Sequence, residues 1–145
     1  MDSSVQLRGK DDGVVPGRTA AGLAVAGAVL VAGRTAPWGD QVRDQWEGRS
    51  RVPSCGDVRL GQGESLERAA RAEVACLGAA LDSSTGAELT VRYSTTEGDP
   101  VTDHYRITPS GTAEVYTDAT EDRFSDQKWH FSECDQPRTA LDVTC

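Results

Sequence analysis

Aromatic side chains are scarce in this 145-residue sequence: three Trp, three Tyr and two Phe make up 6% of it, and hydrophobic residues of every kind reach only 37%. So small an apolar stock supports one modest core and excludes a second domain or a polytopic membrane protein. Histidine is nearly absent, with His104 and His130 alone. No G-x-S-x-G stands anywhere in the chain, and a catalytic histidine needs a nucleophile and an orienting carboxylate within reach. Closely spaced cysteine pairs are missing too. Between Cys55, Cys76, Cys134 and Cys145 lie 20, 57 and 10 residues, which argues against a zinc site of the C-x2-C kind. Basic residues are in deficit, 15 Lys+Arg against 23 Asp+Glu for a net charge of −8. Such a chain repels phosphate backbones, so nucleic acid is excluded as a partner.

What is present divides unevenly. Residues 1–54 carry 7 basic and 6 acidic side chains, whereas residues 55–145 carry 8 and 17, together with all four cysteines. The first part contains one continuous apolar run, Thr19 to Gly33, closed by Arg18 and Arg34. At 15 residues it matches a secretory h-region of ~7–15 residues better than the ~20 of a membrane span. Arg8, Lys10 and Arg18 supply a basic flank, and Val31 and Gly33 are small enough for cleavage after Gly33. Residues 1–34 therefore read as a signal peptide or signal-anchor, with membrane contact only through 19–33 if the segment stays uncleaved. Residues 35–54 are rich in Pro, Gly and Arg and read as a spacer, with a short helical turn near Val42 and Trp46.

An even set of cysteines downstream of an export signal implies oxidation outside the cytoplasm. Four cysteines allow three pairings. Cys55–Cys76 with Cys134–Cys145 is favoured, because both loops are short and neither requires the ends of the module to meet.

Within residues 55–145 the periodicity changes once. Leu66, Ala69, Ala70, Val74, Leu77, Ala80 and Leu81 recur at helical spacing over 65–81. The period then becomes two: Ala87, Leu89, Val91 and Tyr93; Val101, Tyr105 and Ile107; Ala113 and Val115; Trp129 and Phe131. Turn chemistry at Glu97-Gly98-Asp99-Pro100 and Pro109-Ser110-Gly111 separates the strands. The expected fold is α+β: one amphipathic helix on an antiparallel meander of three to four strands, stapled by disulfides, without βαβ alternation.

Two runs, Thr95-Thr96-Glu97-Gly98-Asp99-Pro100 and Asp118-Ala119-Thr120-Glu121-Asp122-Arg123-Phe124, precede a Trp/Phe strand that ends at Cys134. This order resembles a family of small exported bacterial proteins, often lipoproteins, classed as a domain of unknown function, over roughly Cys55 to Cys134. Arg34 stands where the lipid-bearing cysteine of such lipoproteins is found, and Ser125 where Gly is common. The resemblance implies an extracytoplasmic single domain and carries no activity.

Candidate site residues are few. Asp118, Glu121, Asp122 and Asp126 form the densest acidic cluster, suited to a weak calcium site or a binding loop, although the spacing lacks the D-x-D-x-D-G start of an EF-hand. Otherwise they form a solvated turn in which Asp99 and Asp118 cap backbone amides. His104 and His130 read as exposed strand residues on the polar parity. No catalytic residue, metal or cofactor is expected. The reading is a noncatalytic envelope module for a protein, peptide or cell-wall ligand; a small secreted protease inhibitor and a histidine-dependent hydrolase are the alternatives.

Overall fold

The computed structural model describes residues 40–145, so the apolar run 19–33 and its cleavage point lie outside the described residues. Helix α1, Gln41–Gly48, starts at Asp40, whose Oδ1 accepts from the backbone N–H groups of Val42 (3.1 Å) and Arg43 (3.3 Å). Such a cap satisfies donors that the first turn of a helix leaves unpaired. Strand β1, Ser54–Arg59, follows, then the one-turn helix α2, Leu66–Ala69, and helix α3, Arg71–Ala79, which tightens into a 3₁₀ turn at Ala80–Asp82. Strands β2, Ala87–Ser94, β3, Pro100–Ile107, β4, Ala113–Asp118, and β5, Trp129–Cys134, complete a sheet of order β1-β2-β3-β4-β5.

Strands β2 to β5 form the expected antiparallel meander. Two features differ from expectation. The sheet has a fifth strand, because β1 pairs with β2 in parallel, and the helical stretch between them is a crossover, so a βαβ unit is present. Parallel neighbours need such a connection. The helix is also not continuous over 65–81. Ala70 leaves helical geometry (φ −131°, ψ 50°), while the Ala70 N–H still bonds to Leu66 O and the Val74 N–H to Ala70 O. Leu66 and Ala70, one turn apart, both reach the core, whereas Ala69 is exposed.

One sheet face carries that core. Leu66, Ala70, Leu77 and Ala80 from the helices pack with Ala87, Leu89, Val91, Ile107 and Ala113 from the strands, and Ala140 closes the far side. Gly86 leads into β2 at φ +70°, and a Cβ there would lie 2.6 Å from the Ile107 carbonyl oxygen; no larger residue fits. Cys55–Cys76 ties β1 to α3 and Cys134–Cys145 ties β5 to the C-terminal segment. These are the short-loop pairs, and they are consistent with an oxidising extracytoplasmic environment. Among the described residues no helix is long and apolar enough to cross a membrane.

The opposite face is covered as well. Residues 40–54, expected as a spacer, place α1 over it: the Trp46 indole stacks on His104 (ring centroids 4.3 Å apart) and lies against Tyr116 and Trp129. Beside these rings runs a chain of alternating charges. Arg49 holds Glu88 through two bonds, at 2.9 and 2.8 Å. Arg106 lies between Glu88 (3.2 Å) and Glu114 (2.9 Å) and also donates to Ser50 O. Asp40 fastens the start of α1 to the sheet by accepting from the Trp129 N–H at 2.7 Å.

Candidate functional site

The acidic run of the β4–β5 connection is built from local caps. Asp118 Oδ1 accepts from the Thr120 N–H (3.0 Å) and hydroxyl (2.6 Å), and Asp122 Oδ1 accepts from the Phe124 N–H (3.0 Å). Asp126 pairs with His130 at 2.9 Å, and Glu121 is exposed. Three of the four carboxylates serve a neighbour in sequence, and among the described residues no three Asp, Glu, His or Cys side chains could hold a metal ion. The calcium reading thus finds no cage here.

The same connection is clamped from outside. Asp99, at the end of the β2–β3 turn, accepts from the Arg123 backbone N–H (3.1 Å) and from its guanidinium (Nη2 at 2.8 Å). The Arg123 guanidinium and backbone amide hold the Asp99 carboxyl below its ordinary value. The Thr95-Thr96-Glu97-Gly98-Asp99-Pro100 turn and the Asp118–Phe124 run therefore meet through one charge-assisted contact. The clamped segment presents Phe124, 72% exposed and the sole large exposed hydrophobic among the described residues.

The two histidines occupy different environments on opposite sheet faces. His130 is exposed beside Asp126. His104 is not an exposed strand residue. It is half-buried beneath Trp46, parallel to Trp129 within 3°, and its Nδ1 lies 3.2 Å from Thr90 Oγ1. Burial, with a smaller effect of the nearby Arg49 guanidinium, pushes its pKa down to about 4. An imidazole so enclosed is neutral at physiological pH.

A second polar constellation was not singled out from the sequence. On the helix-side face Asp103 pairs across the sheet with Val91 on one side and Thr117 on the other. Thr117 Oγ1 donates to Asp103 Oδ1 at 2.6 Å. Burial raises the Asp103 carboxyl above its usual range, against the hydrogen bonds from Thr117 and Tyr93. Burial likewise raises the Tyr93 phenol, and lifts that of Tyr105 to about 12. These groups open on a cleft of about 290 Å³ between the sheet and the β1–α2 loop. The available signal was parity: Asp103 shares the face of Val101 and Tyr105, so a carboxylate interrupts an otherwise apolar row.

Comparison with protein-family models, with curated proteins and with solved structures finds no match for the chain.

Proposed function

We propose that this chain is a small exported, noncatalytic binding module of the cell envelope, related to the small exported bacterial proteins it resembles, and that it engages a protein partner through the clamped acidic loop 118–126. The observation that carries the reading is Phe124, an aromatic ring 72% exposed on a segment whose backbone is already held. Arg123 is anchored to Asp99, the Phe124 N–H to Asp122, and the Ser125 hydroxyl donates to the carbonyls of Ala119 and Asp122. Aromatic anchors dominate interface energetics, and an anchor held in place loses little freedom on binding. The partner that fits offers an apolar socket rimmed by Lys or Arg, complementary to Glu121, Asp122 and Asp126.

Support for a noncatalytic role comes from His104, closed beneath Trp46, and from His130, whose described partner is a carboxylate rather than a nucleophile. The inhibitor reading is the weaker alternative. The Ser125 N–H bonds to Asp122 O at 3.3 Å and closes residues 122–125 into a turn, where a substrate-like loop is extended. A photoreactive residue placed at position 121 of the full chain should cross-link one envelope protein in intact cells. Phe124→Ser should abolish that product without changing the melting temperature. Persistence of the product in the variant would refute the reading.

A further inference from the structure

We infer that the cleft beside Asp103 binds an alkylammonium group, a feature independent of the Phe124 loop. Its chemistry is one-sided. Two carboxylates, Asp103 and Glu64, and two phenols, Tyr93 and Tyr105, line it, and no Lys, Arg or His does. The rest of its wall joins the uncharged polar Gln62 and Ser94 to the apolar Leu60, Leu66 and Val91.

Glu64 is partly used, since its Oε2 accepts from the Gly61 N–H at 2.7 Å and so shapes the β1–α2 loop. Asp103 is different. It is half-buried, has no ion-pair partner among the described residues, and is held only by neutral donors, a short bond from the Thr117 hydroxyl and one from the Tyr93 phenol. Three other enclosed acids do carry a cation: Glu88 has Arg49 and Arg106, Glu114 has Arg106, and Asp99 has Arg123. Asp103 has none and, unlike them, lines a cleft.

An alkylammonium fits each part. The ammonium meets the Asp103 carboxylate in a partly desolvated site, where charge-assisted bonds are strong. The electron-rich faces of Tyr93 and Tyr105 favour a cation. The aliphatic stem covers Leu60 and Leu66, which a small inorganic ion would leave wet. The volume admits a stem of a few carbons. The same chemistry is offered by a free amine and by a lysine side chain.

The test is a titration of the full chain, oxidised, followed by calorimetry and by the Tyr ring resonances. Three probes suffice: n-butylammonium, n-butanol as its neutral counterpart, and a short peptide with one central lysine. Saturable binding of n-butylammonium that shifts the Tyr93 and Tyr105 resonances, with n-butanol inert, is the expected result and indicates a free amine as ligand. Binding of the peptide alone, with the same shifts, places the ammonium on a lysine side chain and equally supports the site. Asp103→Asn should weaken either by about tenfold or more, the loss expected when a charged partner is removed. If that variant does not fold, the wild-type resonance shifts decide. Equal response to n-butanol and n-butylammonium, no response to any probe, or undiminished binding by a folded Asp103→Asn overturns the inference.

Discussion

The Trp46 indole lies over the His104 imidazole with ring centroids 4.3 Å apart and planes 25° from parallel, and this contact joins α1 to the middle of the sheet. The Arg49 guanidinium also lies over the indole, 2.9 Å from its centroid. Trp46 thus packs on two nitrogen-rich groups, one neutral and one cationic, and fixes α1 to the sheet.

Replacing Trp46 by Ala should detach α1. The expected loss is about 2–4 kcal/mol, somewhat under that of a fully buried Trp, because Trp46 remains partly exposed. Urea unfolding gives the value. The His104 resonances should at the same time shift toward those of a solvated imidazole, since its cover is gone.

His104 also sets an acid limit on stability. Its folded pKa, about 4, lies below its ordinary value of 6.5, so the unfolded chain binds the proton first as pH falls. This contribution is fully present above about pH 6.5 and is lost progressively toward about pH 4. Asp40 and Asp99, both held below their ordinary values, add a further loss at lower pH, while Asp103, raised by burial, acts in the opposite sense. His104→Gln should flatten the stability profile between pH 6.5 and 4. An unchanged slope in that variant would contradict the assignment.

Arg106 is 7% exposed and lies between Glu88 and Glu114. Its Nε, near Glu88 but not aligned for a hydrogen bond, shows that the cluster is not fully satisfied. Arg106→Ala leaves two enclosed carboxylates short of a cation and should cost about 3–5 kcal/mol. Arg106→Met with Glu114→Gln should cost far less, because Glu88 keeps Arg49 and no unpaired charge remains. Thermal unfolding of the two variants side by side makes the comparison.

Asp99→Asn should release the β4–β5 connection while leaving the sheet intact. Backbone amide exchange should accelerate at Arg123 to Ser125 and stay unchanged in β2 to β4. Equal protection in the variant would mean that the Asp99–Arg123 contact does not hold the loop.

The elements that could be read in the sequence are those in which one rule sufficed. Strands β2 to β4 alternate cleanly because one of their faces meets the apolar core, whereas the alternating Trp129 and Phe131 of β5 lie on the other face with Tyr116 and Trp46. Strand β1 stayed hidden: Ser54, Cys55, Gly56 and Asp57 show no alternation, and Gly56, at φ +131°, sits at a register shift. Helix α1 has only Val42 and Trp46, one turn apart, to announce a buried side, and its other residues are polar. His104 looked solvent-facing for a related reason. A sheet face covered by one indole and a row of ion pairs is polar in composition, and alternation cannot distinguish that cover from water. At the candidate site, sequence proximity suggested that four acids act together, whereas local hydrogen bonds engage three of them separately. Asp103 gained its significance from neighbours on other strands, which no single-strand pattern contains.

The two disulfides enclose residues 55–76 and 134–145, and α1 lies outside both loops. Covalent bracing and the cover of the second face are therefore mechanically separate. A pull on the chain ahead of Asp40 loads one hydrogen bond to Trp129, then the ring stack, then the Arg49–Glu88 pair, with every covalent cross-link still intact. The domain would yield in two stages, first uncapping the Trp129, Tyr116 and His104 rings and only later surrendering the stapled core.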